Sequence, residues 1–192
     1  SLEAAGGGVS GLRLAAALWR FWWVRGHLAE GRTRLEKALA AAETAPAETR
    51  AAALDGAGAL AEAQGDAEEA VGLHEAALAI RRSLGDRLGC ARSLENLGLI
   101  ELHDRGNPDR ASEFHEAALT LYRAVGDRQG IASAMANLGD AALQREERAA
   151  AAALYAEALA ISRELADARS VAAGLTSLGA LAYFEGDVGR AI

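Results

Sequence analysis

The sequence predicts an all-α protein, an α-solenoid of antiparallel helix pairs that repeat about every 40 residues. Two observations carry that expectation. Ala is the commonest residue and Leu follows, while β-branched residues are scarce; Ala and Leu are strong helix formers, and strands favour Val, Ile and Thr. The chain also copies itself: Ala-Arg-Ser-Leu-Glu-Asn-Leu-Gly at 91–98 returns as Ala-Ser-Ala-Met-Ala-Asn-Leu-Gly at 132–139 and as Ala-Ala-Gly-Leu-Thr-Ser-Leu-Gly at 172–179. Self-similarity at a fixed period is the signature of a stacked array.

Two further blocks repeat in the same order. His-Glu-Ala-Ala-Leu at 74–78 is copied at 115–119 and echoed by Tyr-Ala-Glu-Ala-Leu at 155–159. Leu-Gly-Asp-Arg at 84–87 recurs as Val-Gly-Asp-Arg at 125–128 and Leu-Ala-Asp-Ala at 165–168. Each unit reads as two helices. From 91, Leu94, Leu97, Gly98 and Glu101 share one stripe at spacings of three and four. A turn at Gly106-Asn107-Pro108 follows, with Pro well placed at the start of the next helix, where its missing N–H would have no partner anyway. The second helix carries Ala111, Phe114, His115, Ala118, Leu119 and Tyr122 at helical spacing, Gly126 ends it, and Asp127 is placed to cap the helix after it. Gly65-Asp66 and Gly186-Asp187 mark the same turn in other units. Gly58, Gly98, Gly139 and Gly179 share one register; Gly inside a helix costs about 1 kcal/mol relative to Ala, so its return implies that helices cross closely there.

The predicted organisation is a flexible tail or the end of an upstream segment at 1–11, a degenerate capping repeat at 12–50, full repeats at 51–90, 91–130 and 131–170, and a partial repeat at 171–192. The first repeat departs from the others. Its Trp19, Phe21, Trp22 and Trp23 read either as a cap over the end of the stack or as an aromatic ligand box. The abrupt glycine-rich start and a first helix at about 171–184 without its partner suggest a piece of something larger, with self-association or a packed neighbour at the chain ends.

Composition excludes several classes of function. The chain has 192 residues, a formal net charge of −7, 51% hydrophobic residues, one Cys and two Pro. One thiol excludes a disulfide framework. No uncharged apolar stretch approaches the roughly 18 residues that cross a bilayer, so no membrane role is expected. The acidic balance argues against nucleic acid as the partner, because phosphate binding needs concentrated Lys and Arg. Charge is unevenly spread, with six basic and three acidic residues in 1–37 and fourteen basic and twenty-four acidic residues beyond. The residues for catalysis are poor: there is no P-loop, no G-x-S-x-G and no H-E-x-x-H. No metal site and no cofactor are expected. His74 and His115 fall at the register where Tyr155 packs, and Cys90 at that of Ile131 and Val171, so all three read as packing residues.

Large residues at 94 and 97, Gly at 98, and Ala111, His115 and Ala118 on the second helix resemble the tetratricopeptide repeat. The 40-residue units, with Asn-Leu-Gly and Gly-Asp-Arg signatures, are most similar to the long-unit arrays of bacterial signal-transduction ATPases and transcriptional regulators. The resemblance implies a concave face lined by the first helix of each pair. On it would stand Arg92, Glu95, Asn96, Leu99 and His103, then Ser133, Asn137, Asp140 and Gln144, then Thr176 and Ser177. Rotation by 100° per residue adds Leu102. Asn is a poor helix former, so Asn96 and Asn137 before Leu-Gly want a reason. An amide offers donor and acceptor together, which suits the backbone of an extended peptide, and the resemblance carries that role to these two residues; local hydrogen bonding between units is the alternative. The function implied is a cytoplasmic, non-enzymatic scaffold that captures a protein or peptide, as the sensor or interaction segment of a larger regulator. The alternative is a structural module for oligomerisation with no groove ligand.

Overall fold

A computed structural model describes residues 2–184, with side chains from Gly7 to Tyr183. Among the described residues the chain is nine α-helices joined by short turns: α1 (Leu2–Arg25), α2 (Leu28–Ala41), α3 (Ala47–Ala63), α4 (Ala67–Leu84), α5 (Arg87–His103), α6 (Pro108–Val125), α7 (Arg128–Gln144), α8 (Arg148–Glu164) and α9 (Ala168–Phe184). The all-α repeat fold is as expected. The stretch 1–11, expected as a flexible tail or the end of an upstream segment, is helical from Leu2. Its Gly8 sits where a Cβ would fall 2.7 Å from the Ala41 carbonyl oxygen, so it serves a close helix contact. The Gly186-Asp187 turn and the rest of the partial last repeat lie outside the described residues.

The turn chemistry follows the sequence. Gly126 takes φ +73° and closes α6; Asp127 then accepts a hydrogen bond from the Gly130 N–H and caps α7. Asn107 accepts from the Arg110 N–H, with Pro108 opening α6. Asp86 accepts from the Gly89 N–H at 2.8 Å. In the third full repeat two turn glycines are replaced: Glu146 (φ +62°) stands at the register of Gly65 and Gly106, and Ala166 (φ +54°) at that of Gly85 and Gly126. A side chain in the left-handed region is strained, by about 1 kcal/mol or more.

The helices form two compact units, Ser1–Ile100 and Glu101–Ile192. In the first, Leu12, Trp22, Leu35 and Leu60 share a buried cluster with small residues such as Ala53 and Ala57. Trp22 packs on Gly31, where a Cβ would fall 2.9 Å from the Trp22 Cβ, and Trp19 packs on Gly56 in the same way. Phe21 and Trp23 are exposed. The aromatic run therefore splits across α1, two rings inward and two outward, and does not enclose a box. In the second unit Ala142, Ala151, Tyr155 and Leu181 cluster, and beside them Leu102 packs with Ala111 and Ala141. Leu102 is thus core: at the penultimate position of α5 the 100° rotation points it to the open side, but Ala111 and Ala141 of the neighbouring helices cover it and apolar burial decides. No described helix is long and apolar enough to cross a membrane.

Candidate functional site

The recurring glycine of the first helices exists for the ring on the second. A Cβ at Gly58 would fall 2.7 Å from the His74 Nε2, and one at Gly139 would fall 2.6 Å from the Tyr155 Cε1. Residues 74, 115 and 155 share that register, and all three are buried. They differ in what they meet. The His74 Nδ1 lies 3.2 Å from Asp55 Oδ1 and 3.4 Å from Asn96 Nδ2. One nitrogen serves one of these partners at a time, donating to Asp55 when protonated and accepting from Asn96 when bare. His115 has no hydrogen-bond partner for either ring nitrogen among the described residues. Burial, with a smaller contribution from His103, lowers its pKa from the ordinary 6.5 to about 4. Tyr155 donates to Asp140 Oδ1 at 2.5 Å; burial first, then the Asp140 carboxylate, push its phenol well above the ordinary value, so it stays a neutral donor.

Two turns further along the second helix lies a position that governs how much space is left between neighbouring first helices. In the first unit it is Arg81, whose side chain is 13% exposed. Its guanidinium pairs with Asp55, donates to Ser93 Oγ at 2.6 Å and donates to the Gly89 carbonyl at 3.2 Å. Gly89 gives it room, since a Cβ there would fall 2.5 Å from Arg81 Cδ. In the second unit the same register is first Tyr122, whose ring would be 2.3 Å from a Cβ at Gly130, and then Ser162. The Ser162 hydroxyl donates back to the Ala158 carbonyl at 2.9 Å and stays close to α8. Ser170 stands where the other two copies carry Gly89 and Gly130. Large with Gly, large with Gly, small with Ser: the two positions vary together inside one sequence.

The consequence is a cavity of about 270 Å³ in the second unit. Tyr155, Leu159 and Ser162 of α8 form its floor, and α7 and α9 flank it with Asn137 and Asp140 on one side and Ser177 on the other. Asp140 is the one formal charge in its lining. The acid has also moved within the unit: the register of Asp55 holds Ala136 here, and Asp140 stands one turn on, at the register of Ala59 and Leu99.

The sequence-predicted residues divide accordingly. Ser133, Asn137, Asp140 and Ser177 meet around this cavity. Thr176 is exposed, its hydroxyl donating to the Ala172 carbonyl at 2.9 Å. The Gln144 amide donates to the Leu102 carbonyl at 3.3 Å and so ties α7 to the end of α5. His103 is exposed at that end. In the first unit Arg92 is exposed and Glu95, Asn96 and Leu99 are half-buried along α5, where Asn96 touches His74. The sequence did not single out Arg81 as the partner of Asp55, nor Ser162 and Ser170 beside Tyr155. The signal was present as the difference between copies at 81, 122 and 162.

Comparison with known proteins agrees with this architecture. A family model described as tetratricopeptide repeat matches residues 49–124 and 89–164. None of the curated proteins matches the chain. Among solved structures, BtubC from P. vanneervenii is 19% identical at a TM-score of 0.79, covering 98% of this chain and 85% of its own. A signal-transduction ATPase with numerous domains and a tetratricopeptide repeat sensor, from Pyrococcus horikoshii, is 16% identical at a TM-score of 0.81, covering 91% of this chain and 27% of its own. The Rap conjugation gene regulator of plasmid pLS20, solved in complex with the Phr* peptide, is 18% identical at a TM-score of 0.77, covering 92% and 49%.

Proposed function

We propose that this chain, which belongs to the tetratricopeptide repeat family, is a non-catalytic scaffold that captures a protein or an extended peptide on the first helices of its repeats. The observation that carries the reading is the cavity beside Asn137 and Asp140: half-buried polar side chains flank an opening that no side chain of the unit fills. Binding sites of this kind pair apolar walls with a few placed polar groups. On this reading the Asn137 and Asn96 amides turn to a peptide backbone when one binds, Asn96 exchanging its contact with His74 for it. The likeness to a sensor-bearing ATPase and to a regulator solved with a peptide supports a role as the sensor or interaction segment of a larger bacterial signalling or transcription-regulatory protein, working in the cytoplasm. Its mechanism would then be differential binding that shifts the larger protein between two states. Nucleic acid and membrane are not its partners; the net charge of −7 disfavours the first.

Self-association is a second reading, favoured by the exposed apolar side chains of α1: Leu14, Phe21, Trp23 and Val24 are each at least half exposed. The two readings separate in one experiment. Peptides selected from a random displayed library are titrated against the native chain and Asn96→Ala, while light scattering reports the oligomeric state. The scaffold reading expects affinity to fall roughly tenfold with unchanged size. Absence of any selectable peptide, together with a stable oligomer, favours the second.

A further inference from the structure

We propose that the cavity over α8 is a guanidinium pocket, which takes the arginine side chain of a bound peptide with the Asp140 carboxylate as counter-ion. This rests on the peptide-capture reading and names the side chain that would be captured.

The chain carries its own filled copy of the site. In the first unit the equivalent space is filled from within by Arg81. Its stem lies over Gly89 and its guanidinium is held by the Asp55 carboxylate and the Ser93 hydroxyl. The fold therefore already shows how a guanidinium is housed between two first helices and one second helix. In the second unit Ser162 removes that side chain, and its hydroxyl is turned to the Ala158 carbonyl. About 270 Å³ is left open.

What lines the opening fits a cation. Asp140 supplies a carboxylate and the lining holds no Lys, Arg or His. The Tyr155 hydroxyl donates to Oδ1 of that carboxylate, which fixes its orientation and leaves Oδ2 for a second donor. Asn137, one turn earlier on α7, and Ser177 of α9 line the same cavity as polar side chains. A guanidinium presents donors in a planar fork that matches such a set, and its flat apolar faces suit the Ala158 and Leu159 floor. An ammonium, a compact and strongly hydrated point charge, fits the shape less well. The Tyr122 copy, by contrast, is filled by a neutral ring over Gly130.

The test uses the whole chain and a defined probe, Nα-acetyl-arginine amide, followed by shifts of backbone amide NMR signals, with the norleucine and lysine amides as controls. The expected result is a saturable shift confined to residues around 133–140, 155–162 and 173–177 for the arginine probe. The norleucine probe shifts nothing and the lysine probe binds several-fold more weakly. Asp140→Asn keeps an acceptor for Tyr155 but removes the charge, and weakens the arginine probe roughly tenfold. Ser162→Tyr with Ser170→Gly copies the filled Tyr122–Gly130 pair and abolishes the response. If the arginine and norleucine probes act alike, or if neither variant alters the titration, the pocket does not recognise a guanidinium. Peptide capture judged by Asn96→Ala would be untouched by that outcome.

Discussion

Arg81 and Ser162 hold the same register of the same kind of helix, one in each unit, and do opposite things. Arg81 closes the space between two first helices with a paired guanidinium; Ser162 leaves it open beside Asp140. The residue eight positions later follows suit, Gly89 under Arg81 and Ser170 near Ser162. In a repeat array the shared positions build the stack and the unshared ones decide what each interval can accept. The lesson is that function in this chain should be sought where the copies disagree.

The largest expected effect sharpens the comparison at the ring register. His74 has Asp55 beside it, whereas His115 is buried without a partner among the described residues and is held near pKa 4. Its pKa is depressed in the fold, so the unfolded chain takes up the proton first as pH falls. Stability is full above about pH 6.5 and is lost down to about pH 4, by about 3 kcal/mol. Urea unfolding of the native chain and His115→Leu across that range should show the pH dependence shrinking by about that amount in the variant. Equal pH dependence would contradict the assignment.

Next is the filled copy in the second unit. Gly130→Ser drives a side chain into the Tyr122 ring and should cost about 2 kcal/mol, yet cost little when Tyr122 is also Ser, as at 162 and 170. Denaturant midpoints of the three variants check this. Arg81→Ser opens the first unit's space and strands the Asp55 carboxylate, with an expected loss of about 1–2 kcal/mol by the same measurement; a loss too small to detect would mean that the guanidinium does not hold the interval closed.

The smallest effect concerns the turns. Ala166→Gly should raise the thermal midpoint, with a gain of about 0.5–1 kcal/mol, because the native alanine sits at φ +54°. Gly126→Ala, at the matching turn, should lose a similar amount.

Much of the fold was legible in the sequence because repetition reveals periods and turns directly. Gly126, Asp127, Asn107 and Pro108 announced their caps, and the recurring Gly of 58 and 139 announced close crossings. The site was half legible. Periodicity put Ser133, Asn137, Asp140 and Ser177 on one side, where they do surround the cavity. It could not show that Gln144 would be engaged by the Leu102 carbonyl, nor that Leu102 would be buried, because both depend on a neighbouring helix. Nor did matching blocks reveal that Arg81, Tyr122 and Ser162 share one varying register, since a search for likeness passes over the position that changes. Gly8 is ambiguous for a related reason: a glycine needed for close approach to Ala41 looks the same in sequence as one in a tail.

The second unit's cavity is open because residues 162 and 170 are small together. A double-mutant cycle on Ser162→Tyr and Ser170→Gly, read by denaturant unfolding, measures whether they share that space. Ser162→Tyr alone should destabilise, adding Ser170→Gly should restore or exceed native stability, and the two changes should couple favourably by about 1–2 kcal/mol. Additivity within about 0.5 kcal/mol would mean that the two positions do not share a space, and would contradict that cause.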